Sequence, residues 1–322
     1  MIVTKLPPAP LPRRALLGAG AGAGLLGLLA GCGSAQRPQP NARPVVEINP
    51  DTAVRLREWQ ATRALAAQYD SALAAGSAPV AVLRPLRAQL ADQISAFGPF
   101  PMSPAAGPGR GGPTGQDLAA AESSTATQRR PDLDLASPAL ARLIASVAAG
   151  GAQRAVLLGG TPPPTVPAQP LPAQSSPAPK PPALAALQAA LAAEDAAVYG
   201  YGVLGAQLGG AQLDRAGADY SAHRARSEAL QQQIAAAGAT PVAAAAGYEL
   251  PFAVTGPSTA VRLAVLLENR LACVYANGVE AADTPALRDA LAGSLQESAL
   301  GVLAWSGSGC AFPGLPERGA PH

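Results

Sequence analysis

Charge is scarce in this chain of 322 residues: Asp, Glu, Lys and Arg make up 14%, against about a quarter in an average soluble domain. Aromatic residues are rarer still, at 4%. The charge that exists is not gathered into a basic face. Lys5, Arg13 and Arg14 lie in the first 32 residues, where there is no acid, and the remainder carries 20 basic against 21 acidic residues. Nucleic-acid recognition needs a clustered basic face, so that class of partner is excluded. Only 2 His are present, His223 and His322, so no Ser/His/Asp set can be assembled with confidence of order or spacing, and no catalytic residue is assigned. No Gly-rich phosphate loop follows a strand pattern. With 3 Cys, at 32, 273 and 310, a CxxC metal or redox pair is excluded by spacing. What is plentiful is Ala, with 34 Gly and 34 Pro. That much Pro and Gly predicts long linkers between packed units.

The N-terminus reads as an address. Arg13-Arg14 precede an Ala/Gly/Leu stretch from Ala15 to Ala30, which ends in Leu29-Ala30-Gly31-Cys32. A charged start, a short apolar core and small residues describe a signal peptide. Its core falls short of the ~20 residues needed to span a bilayer. The Arg pair before a weakly apolar core resembles a twin-arginine export signal. Leu29–Cys32 resembles the bacterial lipobox, which implies a diacylglycerol on Cys32 and anchoring on the extracytoplasmic face of the membrane. With Cys32 acylated, Cys273 and Cys310 remain as an even pair and are expected to form a disulfide in an oxidising compartment.

The expected organisation is a signal peptide over 1–32, a tether over 33–46 and an N-terminal helical region over 47–159. A Pro-rich linker over 160–182 follows, with Pro at ten of its 23 positions, then a helical domain over 183–316 and a tail over 317–322. Polyproline segments extend at about 3.1 Å per residue and cannot pack a core. Both helical regions favour helix by composition. In the first, helical stretches fall near 51–75, 81–97, 116–129 and 137–158. In the second they fall near 183–208, 212–237, 259–277 and 285–305, punctuated by Gly209-Gly210, Gly238, Thr284-Pro285 and Gly307. The fold class is therefore all-α. The first two helices of the second domain form an antiparallel hairpin. A connection of roughly 19 residues then precedes the third helix, long enough to run the length of a bundle.

Four segments carry a family resemblance: Leu191-Ala-Ala-Glu194-Asp195 through Tyr199, Tyr201 and Gly205; Ala222-His223 to Arg226; Tyr248-Glu249 to Phe252; and Phe312-Pro313 to Pro316. Together they resemble the ferritin-like domain of unknown function found in secreted actinobacterial proteins. The resemblance implies a ferritin-like four-helix bundle with one long crossover, and it implies a fold, not a chemistry. The N-terminal region resembles a second, decayed unit of the same kind.

Ferritin-like di-iron sites use one Glu from each of two helices and a Glu-x-x-His from each of the other two. Here Tyr220 stands three before His223 and Leu300 three after Glu297, so both motifs are broken. Glu194 falls in the apolar seam of the first helix and His223 in that of the second, with Glu268 on a flank and Glu297 less well placed. Glu194, His223 and Glu268 are the candidates for a single divalent metal such as iron. The expected axial offset of one turn between Glu194 and His223 argues against even that. The favoured expectation is a metal-free seam whose Glu194 and His223 are satisfied by Tyr, Ser or each other, with no cofactor. The N-terminal region, with no His, is expected to hold no site, and Trp59 and Tyr69 are read as core aromatics. The sequence thus points to a lipid-anchored envelope protein that binds another envelope protein or a ligand, more in keeping with a binding role than with an enzyme. Its alternatives are a degenerate metal-binding or redox protein and a small-molecule-binding bundle walled by the Tyr248–Phe252 crossover.

Overall fold

The computed structural model describes residues 4–5, 49–100, 112–165 and 178–319. Arg13, Arg14 and Cys32, and with them the export and anchor expectations, lie outside the described residues. Among the described residues no helix is long and apolar enough to cross a membrane.

The protein is mostly helical. Thr4–Lys5 (β1) and Tyr248–Glu249 (β2) form a two-residue parallel ladder. The first helical unit contains α1 (Pro50–Ala75), α2 (Val80–Phe97), α3 (Gly115–Gln128), α4 (Arg130–Leu135) and α5 (Pro138–Leu157); the second contains α6 (Pro181–Gly205), α7 (Gly210–Ala236), α8 (Pro257–Ala281) and α9 (Pro285–Ser306). Local chemistry sets these ends. Asn49 accepts the backbone N–H of Asp51 at the start of α1, and Gly76 stops that helix at φ 64°. Thr114 and Asp117 close a reciprocal capping box on α3. Thr284 caps α9, which ends at Gly307 with φ 71°; glycine adopts that left-handed conformation without the Cβ clash of other residues. The short α4 has a single buried residue, Leu133, and so no periodicity from which it could be read.

Side-chain pairs give the helix directions. Tyr201, late in α6, reaches Glu268, near the middle of α8, while Glu194, seven residues before Tyr201, meets Tyr275, seven after Glu268. Helices α6 and α8 are therefore antiparallel. Because α6 and α7 form a hairpin, α7 and α8 run the same way, and the connection from Ala237 to Gly256 must travel from one end of the helices to the other. The first unit repeats the pattern. Tyr69 and Thr62 of α1 meet Glu122 and Arg129, so α1 and α3 are antiparallel and α2 and α3 parallel.

The two units are not separate beads. Leu140, Ile144 and Val147 of α5 are fully buried in the same core as Leu263, Leu271 and Leu295 of α8 and α9. Burying a side chain of this size stabilises by about 1.5–3 kcal/mol. The segment after α9 straps the units together. Gly309, Ala311 and Pro313 offer carbonyls to Gln89 (3.2 Å), Gln93 (2.6 Å) and Ser146 (2.7 Å), while the Cys310 N–H donates to Gln153 (3.0 Å). At Gly314, with φ 77°, a Cβ would sit 2.5 Å from the Ala272 carbonyl, so only glycine fits there. Arg130–Asp289 and Arg142–Glu317 ion pairs cross the same boundary.

Cys273 and Cys310 are both free thiols, the first half-buried in α8, the second exposed on the strap. The expected disulfide is not formed here. The course of the strap at Cys310 is set by α5, whose Gln153 and Gly150 hold its backbone.

Candidate functional site

Seven buried or half-buried groups converge at the middle of the second unit. His223 of α7, 1% exposed, stands between two carboxylates: its Nδ1 is 2.7 Å from Glu194 of α6 and its Nε2 is 3.1 Å from Glu268 of α8. Tyr275 donates to Glu194, and Tyr201 donates to Glu268 at 2.6 Å. Arg226, one turn beyond His223, donates from Nε to Glu194 (3.0 Å) and from Nη1 to Glu297 of α9 (2.7 Å). Its Nη2 lies 3.0 Å from His223 Nδ1. Thr165 completes Glu297 at 2.8 Å, and Ser227 donates to Asp195 at 2.6 Å.

The expected one-turn gap between Glu194 and His223 is absent. Helix α6 ends at Gly205 and α7 begins at Gly210, so Glu194 is eleven residues from the hairpin and His223 thirteen. The difference is about 3 Å along the axis, which two side chains span easily. Glu297, the least promising carboxylate in the sequence, belongs to the cluster through Arg226.

Electrostatics follow from this geometry. Burial alone would lower the His223 pKa, but the hydrogen bonds to Glu194 and Glu268 outweigh it and raise the value to about 9. The imidazole is then charged at neutral pH, and both nitrogens donate. Burial would raise Glu194, yet the hydrogen bond from His223 and the charge of Arg226 bring it below its ordinary range. Burial and Glu268 push the Tyr201 phenol upward, so it stays a donor.

These residues do not fit the metal that a di-iron bundle would hold. The ligand lone pairs of Glu194, His223 and Glu268 are turned onto one another and onto Arg226, Tyr201 and Tyr275, and two of the charges in the cluster are already cationic. Among the described residues no group of three or more His, Cys, Asp or Glu side chains is arranged to hold a metal ion.

The first unit carries a cluster that the sequence reading missed. Arg154 of α5 and Glu122 of α3, both fully buried, form a two-pronged ion pair at 2.6 and 3.0 Å. Tyr69 donates to Glu122 at 2.7 Å, and Arg154 reaches Gln93 at 3.3 Å. Buried Arg129 pairs with Glu58 (2.7 Å) and Thr62 (2.8 Å).

The two clusters share a frame. Thr62 precedes Tyr69 by seven residues, as Glu194 precedes Tyr201; Glu122 precedes Arg129 by seven, as Glu268 precedes Tyr275. Both cross-pairs are made in each unit. Gln93 is the fourteenth residue of α2 and His223 the fourteenth of α7. Gly151 and Gly301 lie against the carboxylates of Glu122 and Glu268. Trp59 and Tyr69 are buried as expected, although Tyr69 is also a member of this polar cluster.

A mostly helical protein with a paired, buried charge cluster in each of two units is the class defined by these observations. Residues 186–317 match the family described as Domain of unknown function (DUF4439). A solved structure of a conserved hypothetical protein, rv2844, from Mycobacterium tuberculosis is 36% identical over 38% of this chain and 87% of that one, with a TM-score of 0.38. The second unit thus carries a DUF4439 domain. No curated protein matches it.

Proposed function

We propose that this chain is an exported, lipid-anchored envelope protein whose ferritin-like four-helix bundle works without a metal, by binding another envelope protein or a ligand. The observation that carries the metal-free part is the closure of the seam: both nitrogens of His223 are taken by Glu194 and Glu268, and those carboxylates are further satisfied by Tyr275, Arg226 and Tyr201. The parallel course of α7 and α8, with the long connection between them, supports the ferritin-like reading, because that topology requires an end-to-end crossover. The same directions in α1, α2 and α3 support a second, decayed bundle in the first unit. Leu29–Cys32 supports the anchor.

Two measurements test this. Cys32→Ala should move the protein from the membrane fraction to soluble or unprocessed fractions; a wild type with unmodified Cys32 would sink the anchor. Metal analysis of protein purified from membranes without chelators should find no stoichiometric iron, manganese or zinc. A stoichiometric metal that is lost on His223→Leu would overturn the metal-free reading. Crosslinking in intact cells followed by pull-down then identifies the bound partner.

A further inference from the structure

We infer that α9 and the strap form a self-complementary dimerisation face on the second unit, and that the first unit fills the partner's place on it within one chain. This holds whether or not the seam takes a metal or the N-terminus a lipid. Two hydrogen bonds carry it. Ser146 of α5 donates to the Pro313 carbonyl at 2.7 Å, and Gln296 of α9 donates to the Pro163 carbonyl at 2.7 Å. Ser146 and Gln296 stand 150 positions apart, and so do Pro163 and Pro313. Gly151 and Gly301, which lie against the equivalent carboxylates Glu122 and Glu268, have the same spacing. The two bonds are therefore one contact made in both directions. A residue i that meets j while j meets i is the mark of an isologous, two-fold interface.

Neighbouring contacts repeat the relation. Thr165, two beyond Pro163, donates to Glu297, one beyond Gln296, at 2.8 Å. Leu315, two beyond Pro313, and Val147, one beyond Ser146, are both buried in the shared core. The segment after α5 thus lies on α9, and the segment after α9 lies on α5. Between them the two helices touch directly, with Gln153 donating to the Ala299 carbonyl at 2.6 Å. The symmetry is incomplete at one place. Gln153, which also holds the Cys310 N–H, has Leu303 as its counterpart 150 positions on. A pair of second units would keep the Gln296-to-Pro313 bond on both sides and lose those of Gln153. It should be weaker than the docking of the first unit, which explains why the first unit holds the face.

The experiment cuts the folded full chain at a protease site inserted between Gln174 and Ser175 of the Pro-rich segment, with native mass spectrometry before and after cleavage. Uncut protein should be a monomer, because the linker holds the first unit at an effective concentration of about millimolar. Freshly cut protein should appear as the one-to-one pair of units. On equilibration, and more so with second unit added in excess, a pair of second units should appear, at least about tenfold weaker than the mixed pair. Gln296→Ala should weaken the pair of second units by about fivefold or more, because the bond is lost twice, and the mixed pair only by about the square root of that factor. A released second unit that stays monomeric or unfolds at up to about 1 mM overturns the inference. Equal losses for the two pairs on Gln296→Ala overturn it as well, since they deny the reciprocal contact. Dimerisation of the uncut chain counts against the first unit's filling the partner's place.

Discussion

The two units of this protein solve one packing problem with different charges. Each brings a tyrosine and a carboxylate together across its first and third helices, Tyr69 with Glu122 and Tyr201 with Glu268. Each then neutralises the carboxylates with internal cations. In the first unit those cations are Arg129 and Arg154; in the second they are Arg226 and His223. The lesson is that a helical frame can keep its polar positions while the residues filling them change from titratable to permanently charged. Gln93 fills the place of His223, and Thr62 that of Glu194. The first cluster is sealed and fixed in charge, whereas the second is partly open at Arg226 and changes charge with pH.

The largest expected effect breaks the sealed side. Arg154→Met leaves Glu122 buried without a counter-charge and should cost about 3–5 kcal/mol in urea unfolding, with most of it recovered when Glu122→Leu is added. Arg226→Met should cost less, since Glu194 keeps His223 and Tyr275. Equal losses for the two substitutions would erase the contrast.

The pH dependence sharpens it. His223 has a folded value of about 9 against an ordinary 6.5, so its stabilisation is complete below about 6.5 and is lost as pH rises through about 9. The shift corresponds to on the order of 3 kcal/mol. Glu194, lowered in the folded state, contributes above its ordinary value and loses that contribution as pH falls through the folded one. In the first cluster, the charge of Glu122 raises Arg154 despite burial, and burial raises Tyr69, so neither titrates between neutral pH and 9. The urea midpoint of wild type should therefore fall from pH 7 to 10, and that of His223→Gln, which imports the residue of the first unit, should not. Parallel curves for the two proteins would remove His223 as the source.

The smallest effect compares the paired glycines. A Cβ at Gly301 would meet the Glu268 carboxyl carbon at 2.6 Å, and one at Gly151 would meet a Glu122 oxygen at 3.3 Å. Gly301→Ala should destabilise by about 1–3 kcal/mol, measurably more than Gly151→Ala. The reverse order would mean that the two carboxylates are not equivalently placed.

Much of the helical layout was legible because Pro and Gly punctuate it: Pro181, Gly209, Pro257, Pro285 and Gly307 sit at or beside observed ends. His223 and Glu194 were legible as polar residues within apolar seams. The first cluster was not. In α3 and α5 Ala occupies exposed and buried positions alike, so no contrast of faces marks Glu122 or Arg154 as inward. Arg226 escaped notice for a different reason. An arginine beside a seam reads as a solvated charge until its partners on α6 and α9 are known. The docking of the units was hidden as well, because the strap makes its contacts through backbone carbonyls, which any sequence can supply.

That strap has a consequence for the order of events during synthesis. Gln93 and Gln153 lie in the first unit, 0% and 1% exposed, yet their bonding partners at Ala311, Ala299 and Cys310 are made long after α5 has left the ribosome. The emerging first unit must hold these amides in water, or leave its inner face ajar, until α9 and the strap arrive. Its final closure thus waits on the last helix and the strap.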